Sequence, residues 1–429
     1  MVKSIIKKES MVPFYLIVLY LFLEYVRPQL LVPFLRNLHI PAITVILIAI
    51  SLLFSGKLSF KGKQTVLYIV LLGEMVIHGP IAVNNYWAFQ RFYEMSVTFI
   101  AYLGIINFVD SEEKYDKLIK LWLNLFIFLA IFGILNKGVG VGGFIGDEND
   151  FCMAMNMVLP FALFGIFSAN GKSKKIYFLF LICLYLSSIL TYSRGGFVGL
   201  ASVMIYCWIR SNKKIVFSLI MGVIVIFALL TASSSYWDRV GTISAEYSES
   251  VEGSSKGTGG QRIYAWKIGW KIFIDNPVIG VGQGNYPWHV GKTEDEMGVQ
   301  WEERSLAGRA AHSLYFTLLP ELGLVGTFIF LLMIIFSIKD LVYIRKAITY
   351  RKEIYSEEES KKIYYLAMAL EGSLVGFLTS SVFISTLYYP NLWLLLAFII
   401  SLRRIVYNSC GDLNLARPRS TIRDSIKYA

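Results

Sequence analysis

In a chain of 429 residues, 55% are hydrophobic and only 17% are charged, a balance that excludes an ordinary water-soluble globule and suits a bilayer. The formal charge of +11 does not point to nucleic acid, because the basic residues are spread over the connections between apolar runs and so report membrane topology, with anionic lipid headgroups as partner. The four cysteines, Cys152, Cys183, Cys207 and Cys410, lie in or beside apolar runs or in the tail, which excludes an exported disulfide framework.

Apolar runs long enough to cross about 30 Å of hydrocarbon as helix recur along the whole chain. Twelve are expected, near 11–26, 40–55, 64–82, 89–109, 118–135, 151–169, 175–192, 195–209, 214–232, 312–337, 363–384 and 388–405. The fold class is therefore an all-α polytopic membrane protein with about twelve transmembrane helices and one large extracytoplasmic loop. The first run holds Glu24 and Arg27, and no small-residue cleavage site follows it, so it reads as a retained helix rather than a signal peptide. Most of the 41 Lys and Arg residues fall at the N-terminus, in the connections 57–63, 114–120, 172–175, 210–214 and 338–362, and in the tail. The positive-inside bias then places both termini in the cytoplasm. Residues 1–232 carry helices one to nine and 233–311 form the large extracytoplasmic loop. Residues 312–405 carry helices ten to twelve, with a cytoplasmic connection at 338–362 expected as a solvated helical hairpin, and 406–429 form a cytoplasmic tail.

The loop 233–311 is too long to be a plain connection, and it contains Trp237, Trp266, Trp270, Trp288 and Trp301. A flexible "GSSKGTGG" stretch at 253–260 leads into "QRIYAWKIGWKIFIDNPVIG". There Ile263, Trp266, Trp270 and Phe273 recur at helical spacing, Lys267 and Lys271 lie off the stripe, and "DNP" at 275–277 stops the helix. The pattern predicts an amphipathic helix, either lying in the interface with its tryptophans at headgroup depth or packing its stripe on neighbouring helices.

Several polar residues stand where an apolar chain has little use for them. In "TYSRGGFVGL", residues 191–200, Arg194 joins two runs that look short for a bilayer, so the turn is expected to be recessed. A guanidinium there must snorkel, pair, or serve as a fork for phosphate oxygens. Arg262 opens the amphipathic helix, and Arg239 stands earlier in the loop within "YWDRVGTIS". Of His39, His78, His289 and His312, the last is set apart because it stands where the loop returns to the membrane, in "AAHSLYFTLLPELGLVG". On a helix starting there it shares a face with Tyr315, Phe316 and Leu319, while Glu321 turns to the opposite face unless Pro320 bends the helix. Glu321 is read as a buried packing or substrate-hydroxyl contact. The carboxylates of "GDENDF", residues 146–151, suit either a metal or the N-cap of a helix. "GVGQGN" at 280–285 has no preceding strand and does not signal a nucleotide fold.

These motifs, taken in order, resemble the O-antigen ligase and polymerase superfamily. The matches are "GDENDF", then "SRGG" between two short helices, then an arginine, a tryptophan and "DNPVIGVGQGNY" in one large loop, then "HSLYFTLLPELGLVG", over roughly 146–326. "EYVRPQ", residues 24–29, is similar to a branch associated with exopolysaccharide or exosortase gene clusters. The resemblance implies a GT-C-like architecture in the bacterial cytoplasmic membrane. It implies inverting, metal-independent and cofactor-free transfer of a glycan from an undecaprenyl-pyrophosphate-linked donor to a hydroxyl of a glycan, lipid-core or protein acceptor. It assigns Arg194 and Arg262 to the pyrophosphate and His312 to the acceptor as catalytic base. Arg239, Asn149, Glu321 and Asn285 are further candidate substrate contacts. The competing class is a flippase or transporter for lipid-linked oligosaccharide, which would more typically show two related halves.

Overall fold

Helix occupies every expected apolar run whose residues are described in the computed structural model, which covers residues 10–211, 258–298, 304–351 and 353–411 and scattered positions between 214 and 222. Apart from two one-turn helices at Pro28–Leu31 and Pro33–Arg36, the chain up to Arg210 carries α1 (Val12–Tyr25), α2 (Ile40–Phe54), α3 (Lys63–Ile81), α4 (Asn85–Phe108), α5 (Glu112–Leu135), α6 (Glu148–Ser168), α7 (Gly171–Leu190) and α8 (Arg194–Arg210). The large loop contributes α9 (Thr258–Asp275) and α10 (Tyr286–Met297), and the chain continues with α11 (Tyr315–Tyr350), α12 (Glu357–Ser380) and α13 (Pro390–Cys410). Among the described residues, α3, α5, α6, α7, α11, α12 and α13 are long and apolar enough to cross a membrane, and α1 and α2 are shorter apolar helices. The expected ninth run, Arg239, Trp237 and Trp301 lie wholly or mostly outside the described residues.

Local chemistry sets the helix ends. The Ser111 hydroxyl accepts from the Lys114 amide, with Glu112 and Glu113 in the first turn of α5, and Ser356 and Glu359 form a reciprocal capping box at the start of α12. Both arrangements satisfy amides that the helix itself leaves open. The centre of the bundle is α6, buried from Asp150 to Phe167 and packed against α7, α8 and α12. Between helices in lipid the hydrophobic effect offers little, so close packing and polar cross-links hold them. Asn156 supplies such a link, its Nδ2 donating to Gly196 O at 2.8 Å and to Ser380 Oγ at 3.1 Å, which ties α6 to α8 and α12.

Four expectations need correction. The helix after the loop starts at Tyr315, so His312 precedes it and shares no helical face with Tyr315 or Leu319. The break in α11 falls at Gly323 (φ 58°, ψ −157°) rather than at Pro320. On α9 the buried face is Ala265, Ile268 and Ile272, while Trp270 of the expected stripe is 49% exposed. Finally, α7 begins at Gly171 and reaches about 30 Å at 1.5 Å per residue, so of the two helices that flank the Arg194 turn only α8 is short for a bilayer. The connection after α11 is a helical hairpin, since α11 runs on to Tyr350 and α12 begins at Glu357.

The break at Gly323 positions the loop. It frees backbone groups inside an apolar segment, where each unpaired group is costly, and "NPVIGVGQGN" takes them. Leu324 N–H donates to Pro277 O at 2.8 Å and Val325 N–H to Val278 O at 3.1 Å, while Pro320 O accepts from Val281 N–H at 2.9 Å and Glu321 O from Gly282 N–H at 2.8 Å. A side chain at position 323 would have to adopt the left-handed region and would place its Cβ 2.5 Å from Val278 O, so only glycine fits. The loop is thus laced into α11 by backbone pairing.

Candidate active site

Three segments meet at the loop end of the bundle. The first is the start of α6, where Asp147 is the N-cap and its Oδ1 accepts from both the amide and the Nδ2 of Asn149 at 2.8 Å. Of the two readings of "GDENDF", the structure shows the cap. The second is the start of α8, where the Ser193 hydroxyl accepts from Gly196 N–H at 2.9 Å and donates to Asn149 Oδ1 at 2.7 Å. Two of the four motifs are therefore joined directly through Ser193 and Asn149. Close approach requires Gly196, since a Cβ there would lie 2.3 Å from Cys152 Sγ of α6. Arg194 is the first residue of α8 and is partly buried.

The third segment is the loop's return, residues 309–314, which α9 holds in place. Trp266 Nε1 donates to Ala311 O at 3.0 Å. The Trp266 indole stacks on Phe316 with centroids 5.3 Å apart and planes 7° from parallel, and it lies 6.1 Å from the Phe383 ring. Phe383 in turn packs against Gly195, where a Cβ would stand 2.7 Å from its own. A run of rings therefore links α9 to the start of α8. On the other side Leu314 N–H donates to Ser381 O at 2.9 Å.

His312 sits in this return segment with φ of 50°. Tyr192, just ahead of Ser193, also has positive φ, 51°. Left-handed backbone at a non-glycine residue costs about 1–2 kcal/mol, and such strain concentrates where a site over-determines the chain. Although His312 is exposed at the surface, desolvation by the surrounding segments is the main cause of its lowered pKa, and the positive charges of Arg262 and Arg309 lower it further against the raising effect of Asp147. Those couplings bring Arg262 from α9, Asp147 from α6 and the return segment into one electrostatic neighbourhood. The lowering favours the neutral imidazole, the form that accepts a proton.

The remaining candidates lie elsewhere. Glu321 is 2% exposed. Its Oε1 accepts from Tyr286 N–H at 3.0 Å, and its Oε2 accepts from Gly284 N–H at 2.8 Å and from the Tyr388 hydroxyl at 2.5 Å. Asn285 is fully buried. Its Oδ1 accepts from Asn84 N–H at 2.7 Å, and its Nδ2 donates to Gln283 O and Asn84 O. Both belong to the lacing of loop and membrane helices. His289 lies on α10, its pKa lowered by burial and by Lys292. Arg309 and Ser193 were not singled out in the sequence. The signal for Arg309 was its position three residues before His312, and for Ser193 its place as cap of a helix that begins with arginine.

All four cysteines are free thiols. A family model described as O-antigen ligase matches residues 177–331, a span that contains Arg194, Arg262, Asn285, His312 and Glu321 and stops short of Asn149. No curated protein matches the chain. With its apolar helices the chain is a multi-pass membrane protein, and it carries at residues 177–331 a domain similar to the O-antigen ligase family, which supports a glycan-processing function of that kind.

Proposed function

We propose that the protein is a glycosyltransferase of the bacterial cytoplasmic membrane that moves a glycan, with inversion and without a metal, from an undecaprenyl-pyrophosphate-linked donor to an acceptor hydroxyl. The observation that supports this reading is the exposed His312 imidazole at the loop's return, in one electrostatic neighbourhood with Arg262 and the Asp147 cap, which Asn149 ties to the Ser193–Arg194 turn. His312 takes the acceptor's proton as its oxygen attacks the anomeric carbon. The bond from that carbon to the pyrophosphate oxygen breaks, and Arg194 and Arg262 receive the departing diphosphate. Guanidinium forks match paired phosphate oxygens and keep their charge at any working pH. Both termini are then cytoplasmic and the site faces outward, where flipped donor arrives.

The test is glycan product per folded protein in proteoliposomes, with donor binding assayed separately. His312→Ala should keep expression and donor binding while transfer falls about 10²–10⁴-fold, the usual contribution of a positioned acid or base. His312→Gln should fail similarly, because an amide orients a hydroxyl without taking its proton. Normal transfer by both variants would remove His312 from catalysis. Loss of donor binding with chemistry intact at saturating donor would make it a phosphate contact. Movement of donor across the bilayer without product would favour the flippase.

A further inference from the structure

The lacing at Gly323 also fixes how deep the loop sits. The apolar run of α11 ends at Lys339 and Asp340, and α3 begins at Lys63. The Lys63 and Lys339 ammonium groups lie 4.7 and 5.6 Å from the centroid of one ring, that of Phe336, so the two helices leave the hydrocarbon at a common level. From there Val325 stands about 21 Å along α11 and His78 about 22 Å along α3 at 1.5 Å per residue. The hydrocarbon is about 30 Å thick, and tilt only shortens the projected distance, so both residues lie inside it. The loop shares their depth. Pro277 O and Val278 O accept from Leu324 N–H and Val325 N–H at 2.8 and 3.1 Å, and a Cβ on Gly282 would lie 3.4 Å from that of His78.

The side chains at this depth are those that lipid requires. Ile274, Val278 and Ile279 are 54%, 60% and 40% exposed, and they continue the exposed Leu324, Val325 and Phe328 of α11. Lys267, Trp270 and Ile274, at helical spacing, share the exposed face of α9. That face passes from charge to interfacial aromatic to aliphatic as the helix nears the turn, the order in which a bilayer is entered. Polar groups beside the patch are engaged. Lys271 Nζ donates to both Asp275 oxygens at 2.6 and 2.8 Å, and Asn276 Nδ2 donates to Ile272 O at 3.1 Å. Irregular backbone at membrane depth must be paired within the protein. Accordingly Gly280 N–H donates to Asn276 O and Val281 N–H to Pro320 O, and Pro277 has no N–H to satisfy.

We propose that the 274–279 segment is immersed in the bilayer, where it forms with Leu324, Val325 and Phe328 one apolar surface whose partner is the acyl chains of the loop-side leaflet. The large loop is then not wholly in water. Its helix α9 enters the membrane at its C-terminal end, with Trp270 at headgroup depth and Lys267 above it. An exposed aliphatic patch of this kind would be a liability in water, whereas against acyl chains it needs no further cover. The inference rests on backbone pairing and helix length and does not depend on the roles given to His312 and the arginines.

The experiment uses the full-length protein in lipid nanodiscs, with nitroxide labels at Val278→Cys and Ile279→Cys. Val325→Cys serves as the reference on α11 and Lys292→Cys as the reference on α10, and unsubstituted protein carried through labelling gives the background from the native thiols. Spin relaxation by oxygen, which concentrates among acyl chains, is compared with relaxation by a nickel chelate confined to water. At 278 and 279 oxygen should exceed nickel several-fold, as at 325, and the order should reverse at 292. Nickel-dominated relaxation at 278 or 279 would put the turn in water and overturn the proposal. Weak relaxation by both reagents there would mean that protein covers the patch, which overturns it equally. A second measurement avoids new cysteines: tryptophan fluorescence in the presence of phospholipids brominated on the acyl chain near the headgroup. Trp270→Phe should remove part of the quenching, and identical quenching with and without Trp270 would take α9 out of the membrane.

Discussion

The sharpest structural prediction concerns Glu321→Gln. In the native protein the carboxylate accepts from two loop amides and from the Tyr388 hydroxyl, all at 2.5–3.0 Å and all buried. An amide of the same shape keeps one acceptor and presents an NH₂ to the other donors. The Tyr388 hydroxyl rotates to accept from that NH₂, but one backbone N–H, at Gly284 or Tyr286, meets another donor and loses its partner. An orphaned buried donor costs about 1–3 kcal/mol, and a hydrogen bond to a charged group contributes about 1.5–3 kcal/mol, so the loop's seat should weaken by about 2–3 kcal/mol. At 1.4 kcal/mol per factor of ten, local opening becomes about 30–150-fold more frequent. Hydrogen exchange at the Gly284 and Tyr286 amides, measured by mass spectrometry on protein in nanodiscs, reads this directly. Transfer activity should fall with the loop's occupancy of its seat. Native exchange rates at both amides in Glu321→Gln would refute the clamp.

Further outcomes follow from the site. In kcat/KM profiles the acid limb should lie below the ordinary histidine range of about 6.5, because His312 is held below it. Arg262→Gln removes a lowering charge and should move that limb to higher pH, whereas Asp147→Asn removes a raising charge, keeps an N-cap, and should move it to lower pH. Limbs that fail to move in opposite directions would separate these groups from His312. Arg194→Lys keeps the charge but not the fork, so turnover of donor should drop with thermal stability unchanged, and native turnover would return Arg194 to a lipid-facing role. Gly196→Ala drives a methyl into Cys152 Sγ, which should cost about 1–3 kcal/mol, read as a lowered melting temperature.

Arg194 and His312 stood out in the sequence because each is a chemically expensive residue at the border of an apolar run, a contrast that needs no three-dimensional information, whereas Arg262, at the start of the loop helix, was singled out by the family resemblance. The hydrogen-bond partners of Glu321 and Asn285 were not legible. Both lie in motifs that suggest substrate contact, yet their polar atoms are taken by backbone groups far away in the chain, Glu321 by Gly284 and Tyr286 and Asn285 by Asn84. Arg309 was passed over because an exposed arginine in a loop is ordinary until a histidine is known to lie under its influence. The face of α9 was misassigned for a related reason. Near a membrane the bulkiest apolar stripe need not be the protein-facing one, so Trp270 remains exposed while the smaller Ala265, Ile268 and Ile272 pack.

The sequence by itself determined the helical, multi-pass class and the approximate positions of the described helices. Those properties depend on contiguous hydrophobicity and on caps such as Asp147, Ser193 and Ser356, and both are local. Only the tertiary structure decided where α11 breaks and what fills the break. That outcome depends on backbone partners from 277–282 meeting 320–325, groups whose hydrogen bonding is the same for every residue type and therefore leaves little mark on the sequence except the glycine at 323.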